Sequence, residues 1–313
     1  MMKAYHEMRQ MSKGELIMKD YLNYKGKVCV VTGASSGIGN ATCKMLVDLG
    51  AIVYGIDRNP CEIEGLTQFI QCDLSDKHSI DQAFTSLPNH IDSFFGVAGL
   101  SGGRTGYWTT FTVNFIANKY ITDTYLANKM SCGGSIAYVT SCGGLMWEKW
   151  KKEYVKIRKA KTWDDMVKFR KKVSPKDGAG IRAYTLSKRA RNYYASLMAI
   201  ELGKKGIRVN AFLPGSTATG MKKEFEKMAG GEENLKKENG AIGRLATPEE
   251  MAEPLVLLNS DASRFVSGLM YIADMGHNAE KVLGYSKNQL DVPAASKLYN
   301  RKFMQNMFRK KMQ

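Results

Sequence analysis

The amino-acid order predicts a doubly wound α/β fold, a seven-stranded parallel sheet covered by helices on both faces. Three observations carry that expectation. Short, near-continuously apolar runs recur along the chain, stretches with helical spacing separate them, and a glycine-rich turn marks the first passage from run to helix. Strands that are apolar throughout belong to parallel sheets buried on both sides. Strict alternation of strand and helix is the pattern of layered α/β domains.

The elements follow in order. The run KVCVVTG from Lys27 reads as the first strand, and residues 37–49 as a helix with Ile38, Ala41, Met45, Leu46 and Leu49 on one side. Gly50 stops that helix. Residues 51–57 form a second strand, 67–74 a short third, 77–87 a helix and 91–98 a fourth strand. A long helix spans 109–130, a fifth strand 135–141, a helix 183–202 and a sixth strand 207–213. A last helix over 248–259 and a seventh strand over 269–274 complete the pattern. Ligands of such sheets sit beyond the carboxyl ends of the strands, so chemistry is expected there.

Three segments stand outside this rhythm, giving one domain over 26–278 with an N-terminal extension (1–25), an insert (145–182) and a basic C-terminal tail (279–313). The insert reads as two short helices, with Trp147, Trp150, Tyr154 and Ile157, then Met166, Phe169 and Val173, at helical spacing. The tail predicts a helix from Ala294, its Tyr299, Phe303, Met307 and Phe308 interleaved with basic residues. That stripe suits a subunit contact better than a membrane or nucleic acid.

Lys and Arg number 46 against 30 Asp and Glu, a net charge of +16. The surplus lies mostly in the insert and in the last stretch from Lys281, while the strand runs carry almost none. A soluble enzyme with basic appendages fits this distribution, because charge governs solubility and non-specific binding rather than fold. Neither a nucleic-acid nor a membrane partner is expected. The six cysteines (Cys29, Cys43, Cys61, Cys72, Cys132 and Cys142) are scattered without CxxC spacing. That argues against a disulfide framework or a metal site and for a reducing cytoplasm. The start of the chain lacks the apolar core of a signal peptide, and no stretch is long and apolar enough to span a bilayer.

Residues 32–39 (TGASSGIG) join the first strand to the first helix. In such a turn Gly33 permits the tight bend, Gly37 lets the backbone approach a pyrophosphate, and Gly39 brings the helix close to the sheet. The helix N-terminus offers free N–H groups to phosphate. Gly33, Ser35, Ser36, Gly37 and Ile38 are therefore candidate cofactor contacts. Asp57 ends the second strand, about 20 residues past the turn, where a carboxylate hydrogen-bonds the adenosine ribose and repels a 2′-phosphate. It points to NAD(H) as cofactor, although the adjacent Arg58 leaves room for NADP.

Tyr184 and Lys188 stand four apart, on one face of a helix. An ammonium near a phenol lowers the phenol's pKa from about 10 toward neutrality, which makes Tyr184 a candidate general acid or base. Ser141 ends the fifth strand, where its hydroxyl can meet a substrate carbonyl. Asn114 lies mid-helix, where an asparagine has no propensity reason to be. After the sixth strand, Pro214, Gly215, Thr217 and Thr219 lie where the chain can fold over a nicotinamide.

Together these residues resemble the short-chain dehydrogenase/reductase family over about Lys27 to Gly276. The family's TGxxxGIG is matched by Thr32 to Gly39, its YxxxK by Tyr184 and Lys188, and its RxNxxxPG by Arg208, Asn210, Pro214 and Gly215. The resemblance adds Asp73 and Leu74 as adenine contacts, and Ala98 and Gly99 as what remains of NNAG. Gly96 and Val97 replace the two asparagines, which is expected to loosen that turn. The usual DGG ending is replaced by Asp274-Met275-Gly276-His277.

The resemblance implies a Rossmann-type NAD(H)-dependent oxidoreductase with a catalytic set of Asn114, Ser141, Tyr184 and Lys188 and no metal. It implies that Tyr184 exchanges a proton with the substrate oxygen, Ser141 holds that oxygen, Lys188 tunes Tyr184, and Asn114 anchors a relay water. It also implies a homotetramer or homodimer. An insert at this position resembles that of some bacterial hydroxysteroid dehydrogenases, so it is expected to roof the site or make a subunit contact. The expected substrate is hydrophobic, a steroid or bile acid with a 20β-hydroxysteroid first. The segment 221–240 reads as a loop that closes over substrate, hinged at Gly230-Gly231, with Met221, Phe225 and Met228 toward it. Reduction of a 3-oxoacyl thioester is the rival within enzymes, and an NAD-binding regulator without turnover the rival outside them.

Overall fold

The structure is a computed structural model that describes residues 20–173, 177–178 and 180–285. The extension up to residue 19, the helix expected from Ala294 and the tail's aromatic stripe lie outside the described residues. Among these the strands are β1 (Val28–Thr32), β2 (Ile52–Asp57), β3 (Gln68–Gln71), β4 (Ser93–Gly96), β5 (Ser135–Val139), β6 (Arg208–Pro214) and β7 (Met270–Ala273). They form one sheet in the order β3-β2-β1-β4-β5-β6-β7, with every pair parallel. The order reverses between β1 and β4, which opens a crevice at the carboxyl edge. Register brings Thr32 level with both Ile56 and Gly96, and Val139 level with Phe212. The glycine turn, Asp57, Gly99, Ser141 and the Pro214 turn thus emerge along one edge.

Strand side chains alternate between two buried layers, as a period of two requires. Val30, Phe94, Ile136 and Val209 face one layer, and Cys29, Val31, Phe95 and Ala137 the other. The first layer is covered by α2 (Lys77–Ser86), by the long helix α3 (107–129) and by α6 (Gly180–Glu201). The second is covered by α1 (Gly37–Asp48) and α9 (Pro248–Asn259), which pack on each other. Tyr24 is wholly buried in that layer, its hydroxyl donating to the Val256 carbonyl at 2.7 Å.

Helix α3 begins at Tyr107–Phe111, earlier than the pattern predicts, and continues to Ala127–Lys129 through π turns at Thr112–Ile116 and Thr122–Leu126. The RxN part of the signature is structural. The Arg208 guanidinium donates to the carbonyls of Leu258, Asn259, Ser260 and Val266 at 2.9–3.1 Å, a cation on the C-terminal end of α9. Asn210 clamps the approach to β7 through Val266 and Leu269, both at 3.0 Å. In place of the first glycine of DGG, Met275 adopts a φ of +51°, and Asp274 accepts from the Gly276 and Asn278 amides to open α10 (His277–Leu283).

The insert forms the two helices expected of it, α4 (Lys151–Lys159) and α5 (Trp163–Val173). Their position corrects the expectation of a roof. Tyr154 and Ile157 are buried against the core, Trp163 meets Tyr120 edge-on at 5.4 Å, and Phe169 meets Phe111 at 6.4 Å. Arg158 pairs with Glu201 at the far end of α6. A helix rises 1.5 Å per residue, so that contact lies roughly 25 Å from Tyr184. The insert therefore lies along the flank of α3 and α6. Its return also caps α3, where Asp177 accepts from the Trp108 amide at 2.9 Å.

Candidate active site

The nucleotide side is built by the glycine turn. Gly33 sits at φ +80°, and a Cβ there would lie 2.9 Å from the Ala98 nitrogen. A Cβ on Gly39 would lie 2.0 Å from the Gly33 carbonyl, so α1 can start this close to the turn only with glycine. Ser36 occupies the N-cap in extended conformation and its side chain makes no capping bond. The first-turn amides at Gly37 and Ile38 have no partner within the helix. This uncapped, glycine-lined N-terminus fits a dinucleotide pyrophosphate. Asp57 lies beside it, accepting from the Ser35 amide at 3.1 Å and the Asn59 amide at 2.9 Å. Asp73 accepts from the Ser75 amide at 2.8 Å, and the Leu74 side chain is core, which leaves only its backbone for an adenine.

The turn after β4 is not loosened by its missing asparagines. The Thr32 hydroxyl accepts from the Val97 amide at 3.1 Å and the Ala98 amide at 3.3 Å. Arg191 donates to the Gly96 carbonyl from the other side.

Ser141, Tyr184 and Lys188 converge at the carboxyl edge. Ser141 follows β5, and its hydroxyl oxygen accepts from the Gly143 amide at 3.1 Å. Tyr184 lies in the first turns of α6. Burial pushes its phenol up to about 12, hydrogen bonding with Ser141 opposes that rise, and Cys142 and Glu238 add to it. The Lys188 ammonium donates to the Val139 carbonyl at 3.1 Å and lies 5.4 Å from the centre of the Tyr184 ring. Burial, then the nearby Arg191, holds the Lys188 pKa well below its usual value. The expected pull of Lys188 on Tyr184 is thus corrected for the cofactor-free chain. A buried lysine beside another cation is a poor holder of charge, and the hydroxyl of Ser141 supplies the downward pull instead.

Asn114 is fully buried in the first π turn of α3, a feature frequent at functional sites. Its side chain accepts from the Leu100 amide at 2.7 Å and donates to the Leu100 carbonyl at 2.9 Å. That fixes the segment after β4 that carries Ala98 and Gly99.

The segment expected as a loop is helical. Helices α7 (Lys222–Ala229) and α8 (Glu232–Lys236) meet at Gly230 and Gly231, whose φ values are +81° and +127°. Phe225 packs edge-on against Tyr184, ring centres 5.6 Å apart, while Met221 and Met228 are half-buried. Thr217 donates to the Gly215 carbonyl at 2.9 Å. Pro214 closes β6, and the Thr219 methyl approaches the bare α-carbon of Gly37. Glu224 accepts from the Ser101 hydroxyl and pairs with Arg104 Nε at 3.0 Å, which ties α7 to the segment after Gly99. Ser101, Arg104 and Glu224 are absent from the sequence-based set, because a polar contact between a loop and a short distant helix leaves no periodic trace.

Residues 27–155 match the family model described as short chain dehydrogenase, and 167–278 the one described as Enoyl-(Acyl carrier protein) reductase. The gap between the two matches falls in the insert. A coniferyl-alcohol dehydrogenase from Pseudomonas sp. (strain HR199) is 30% identical over 256 residues, covering 80% of this chain and 96% of that protein. The chain belongs to the short-chain dehydrogenase/reductase family. A human 3-oxoacyl-[acyl-carrier-protein] reductase is 25% identical, covering 80% of this chain and 97% of its own length. The solved 3-alpha-hydroxysteroid dehydrogenase from Pseudomonas sp. B-0831, complexed with NADH, shares the fold at a TM-score of 0.68 and 21% identity, covering 84% of this chain and 100% of that one. As a short-chain dehydrogenase/reductase the chain is an oxidoreductase acting on alcohol and ketone groups with a nicotinamide dinucleotide. Among the described residues no helix is long and apolar enough to cross a membrane.

Proposed function

We propose that this enzyme interconverts a secondary alcohol and a ketone on a bulky, rigid, apolar substrate of the steroid or bile-acid class, with NAD(H) as cofactor. The observation that carries the reading is the convergence of Ser141, Tyr184 and Lys188 at the carboxyl edge under the Phe225 ring. The amides of Gly37 and Ile38 would hold the pyrophosphate, Asp57 the adenosine ribose, Lys188 the nicotinamide ribose and Thr219 the carboxamide. Bound there, the nicotinamide supplies or takes the hydride at the carbon of the reacting group.

The chain's own residues handle the oxygen. In the reductive direction Ser141 and Tyr184 hydrogen-bond the carbonyl oxygen, and Tyr184 gives it a proton as negative charge develops there. Lys188 then restores the proton on Tyr184. In the oxidative direction Tyr184 takes the hydroxyl proton. Phe225, packed on Tyr184, keeps water from the phenol and offers a flat apolar wall with Met221 and Met228 nearby. The support for a large substrate comes from this wall and no longer from the insert. The carboxylate of Asp57, fixed by two amides at the end of β2, supports NAD over NADP.

The test follows nicotinamide absorbance with 20-, 3-, 7- and 12-oxo steroids, coniferyl alcohol and a 3-oxoacyl thioester, each with NAD(H) and NADP(H). The expected outcome is NADH oxidation with one oxo-steroid class, the 20-oxo compounds first. Turnover of the thioester or of coniferyl alcohol with silence on every steroid would overturn the substrate class and keep the site.

A further inference from the structure

Arg191 lies fully buried on α6, three residues beyond Lys188 and on the same side of the helix. One guanidinium nitrogen donates to the Val139 carbonyl at 3.2 Å, the same oxygen that Lys188 holds at 3.1 Å. The other donates to the Gly96 carbonyl and, at 2.8 Å, to Asn118 Oδ1, one turn of α3 past Asn114. All three acceptors are neutral. Burying a guanidinium without a carboxylate is costly, so its presence calls for a reason. Gly96 belongs to the same arrangement. A Cβ there would lie 2.8 Å from the Arg191 guanidinium and 2.8 Å from Asn118 Oδ1. The departure from the family's asparagine is the space in which Arg191 sits.

We propose that Arg191 is a positioning residue whose fixed charge, held on the Gly96 and Val139 carbonyls beside Lys188, makes the Tyr184–Lys188 pair release its first proton more readily. The proposal rests on the roles given to Tyr184 and Lys188 above. Burial lowers the Arg191 guanidinium to about 10, still above the working range, so its charge is constant there. Tyr184 and Lys188 titrate as a pair. Losing a proton takes the pair from one positive charge to none, whichever group gives it up, and a neighbouring cation favours the less positive state. The other titratable groups around the pair are Tyr138 on β5, its ring 5.2 Å from the Arg191 guanidinium, and Cys142 and Glu238, which act on Tyr184. Asp274 lies behind Cys142, and Asp123 acts on Tyr138. Among the described residues no carboxylate pairs with Lys188 or Arg191. The low pKa of Lys188, to which Arg191 contributes, agrees with this picture.

The test is a titration of the cofactor-free protein carrying 13C at lysine Cε, with the Lys188 signal identified as the one Lys188→Met removes. Arg191→Met is expected to raise the Lys188 midpoint by about one pH unit, the size of a single near charge, and Arg191→Lys to restore most of the difference. Asn118→Asp keeps Arg191 and places a carboxylate against its guanidinium, so it should move the midpoint the same way even where Arg191→Met fails to fold. A folded Asn118→Asp protein with an unmoved midpoint would overturn the proposal, as would Arg191→Met and Arg191→Lys behaving alike. The acidic limb of alcohol oxidation should follow the same shifts. Retained turnover in Tyr184→Phe would instead strike the catalytic assignment and leave the lysine titration standing.

Discussion

On one side of α6, Tyr184, Lys188 and Arg191 turn toward the carboxyl edge of the sheet. On the other, Arg189 and Tyr193 turn toward the insert. Both sides bury arginine, and they treat it differently. Arg191 rests on two carbonyls and an amide, all neutral, so its charge acts on what lies beside it. Arg189 lies 5.9 Å from the centre of the Trp150 ring, within a patch where Trp147 and Tyr154 pack on Tyr193 at 5.7 and 6.2 Å. One side keeps an electrostatic potential at the cost of stability, and the other buries aromatic area and adds stability. A single helix thus carries reactivity on one face and its own support on the opposite one.

The comparison breaks most visibly at Tyr184. Tyr184→Phe removes the phenolic oxygen and leaves the ring against Phe225, so turnover should fall by about a thousandfold, within the range for a lost general acid. Its thermal midpoint should hold, and calorimetry beside steady-state rates checks both halves. The converse change is Ile157→Ala on the insert face. Ile157 is almost wholly buried, and truncation there should cost about 2–5 kcal/mol in denaturant unfolding. The kcat of the folded fraction should stay within about twofold, as expected for a site far from the cavity. A large drop in kcat would show that the two faces are coupled.

The catalytic face was largely legible in the sequence and the insert face only partly. Tyr184 and Lys188 are four apart on one helix, and the glycine turn follows an unambiguous strand, so local spacing places them. The insert's periodicity announces two amphipathic helices but does not say what they lie against, because a stripe of Trp, Tyr and Ile is equally suited to a roof, a partner or a flank. Segment 221–240 does space Met221, Phe225 and Met228 at helical intervals, but its density of charge and its glycine pair read as a loop, and its helices form around that pair and an ion-pair network of Lys222 with Glu226 and Glu232. Arg191 was hidden for another reason. A charged residue on a mixed helix reads as solvent-facing, and only its spacing from Lys188 together with the odd Gly96 could have flagged it.

Between these two faces and the nucleotide edge lies a smaller effect. Asp57 holds the Ser35 and Asn59 amides, a structural role, while its position at the end of β2 gives it the proposed ribose contact. Asp57→Ala should raise the ratio of kcat/KM for NADPH over NADH by about tenfold, the scale of one charge-assisted hydrogen bond. A ratio unchanged in a stable variant would leave Asp57 as a turn-fixing residue alone and shift attention to Arg58.

The smallest effect tests whether the cover over the catalytic face is held by charge or by packing. Glu224 pairs with Arg104, whose side chain is 70% exposed, so water screens that contact and the ionic part contributes under about 1 kcal/mol. The bond from Ser101 lies deeper and survives in Glu224→Gln, since an amide oxygen still accepts. Glu224→Gln should therefore raise KM by no more than about threefold with kcat nearly constant, and 0.5 M salt should erase part of the difference. Phe225→Ala removes the ring from Tyr184 and keeps the ion pair, and its effect on kcat/KM should exceed that of Glu224→Gln. If the order were reversed, the cover would be held mainly by its charges. The protection of Tyr184 would then become sensitive to ionic strength.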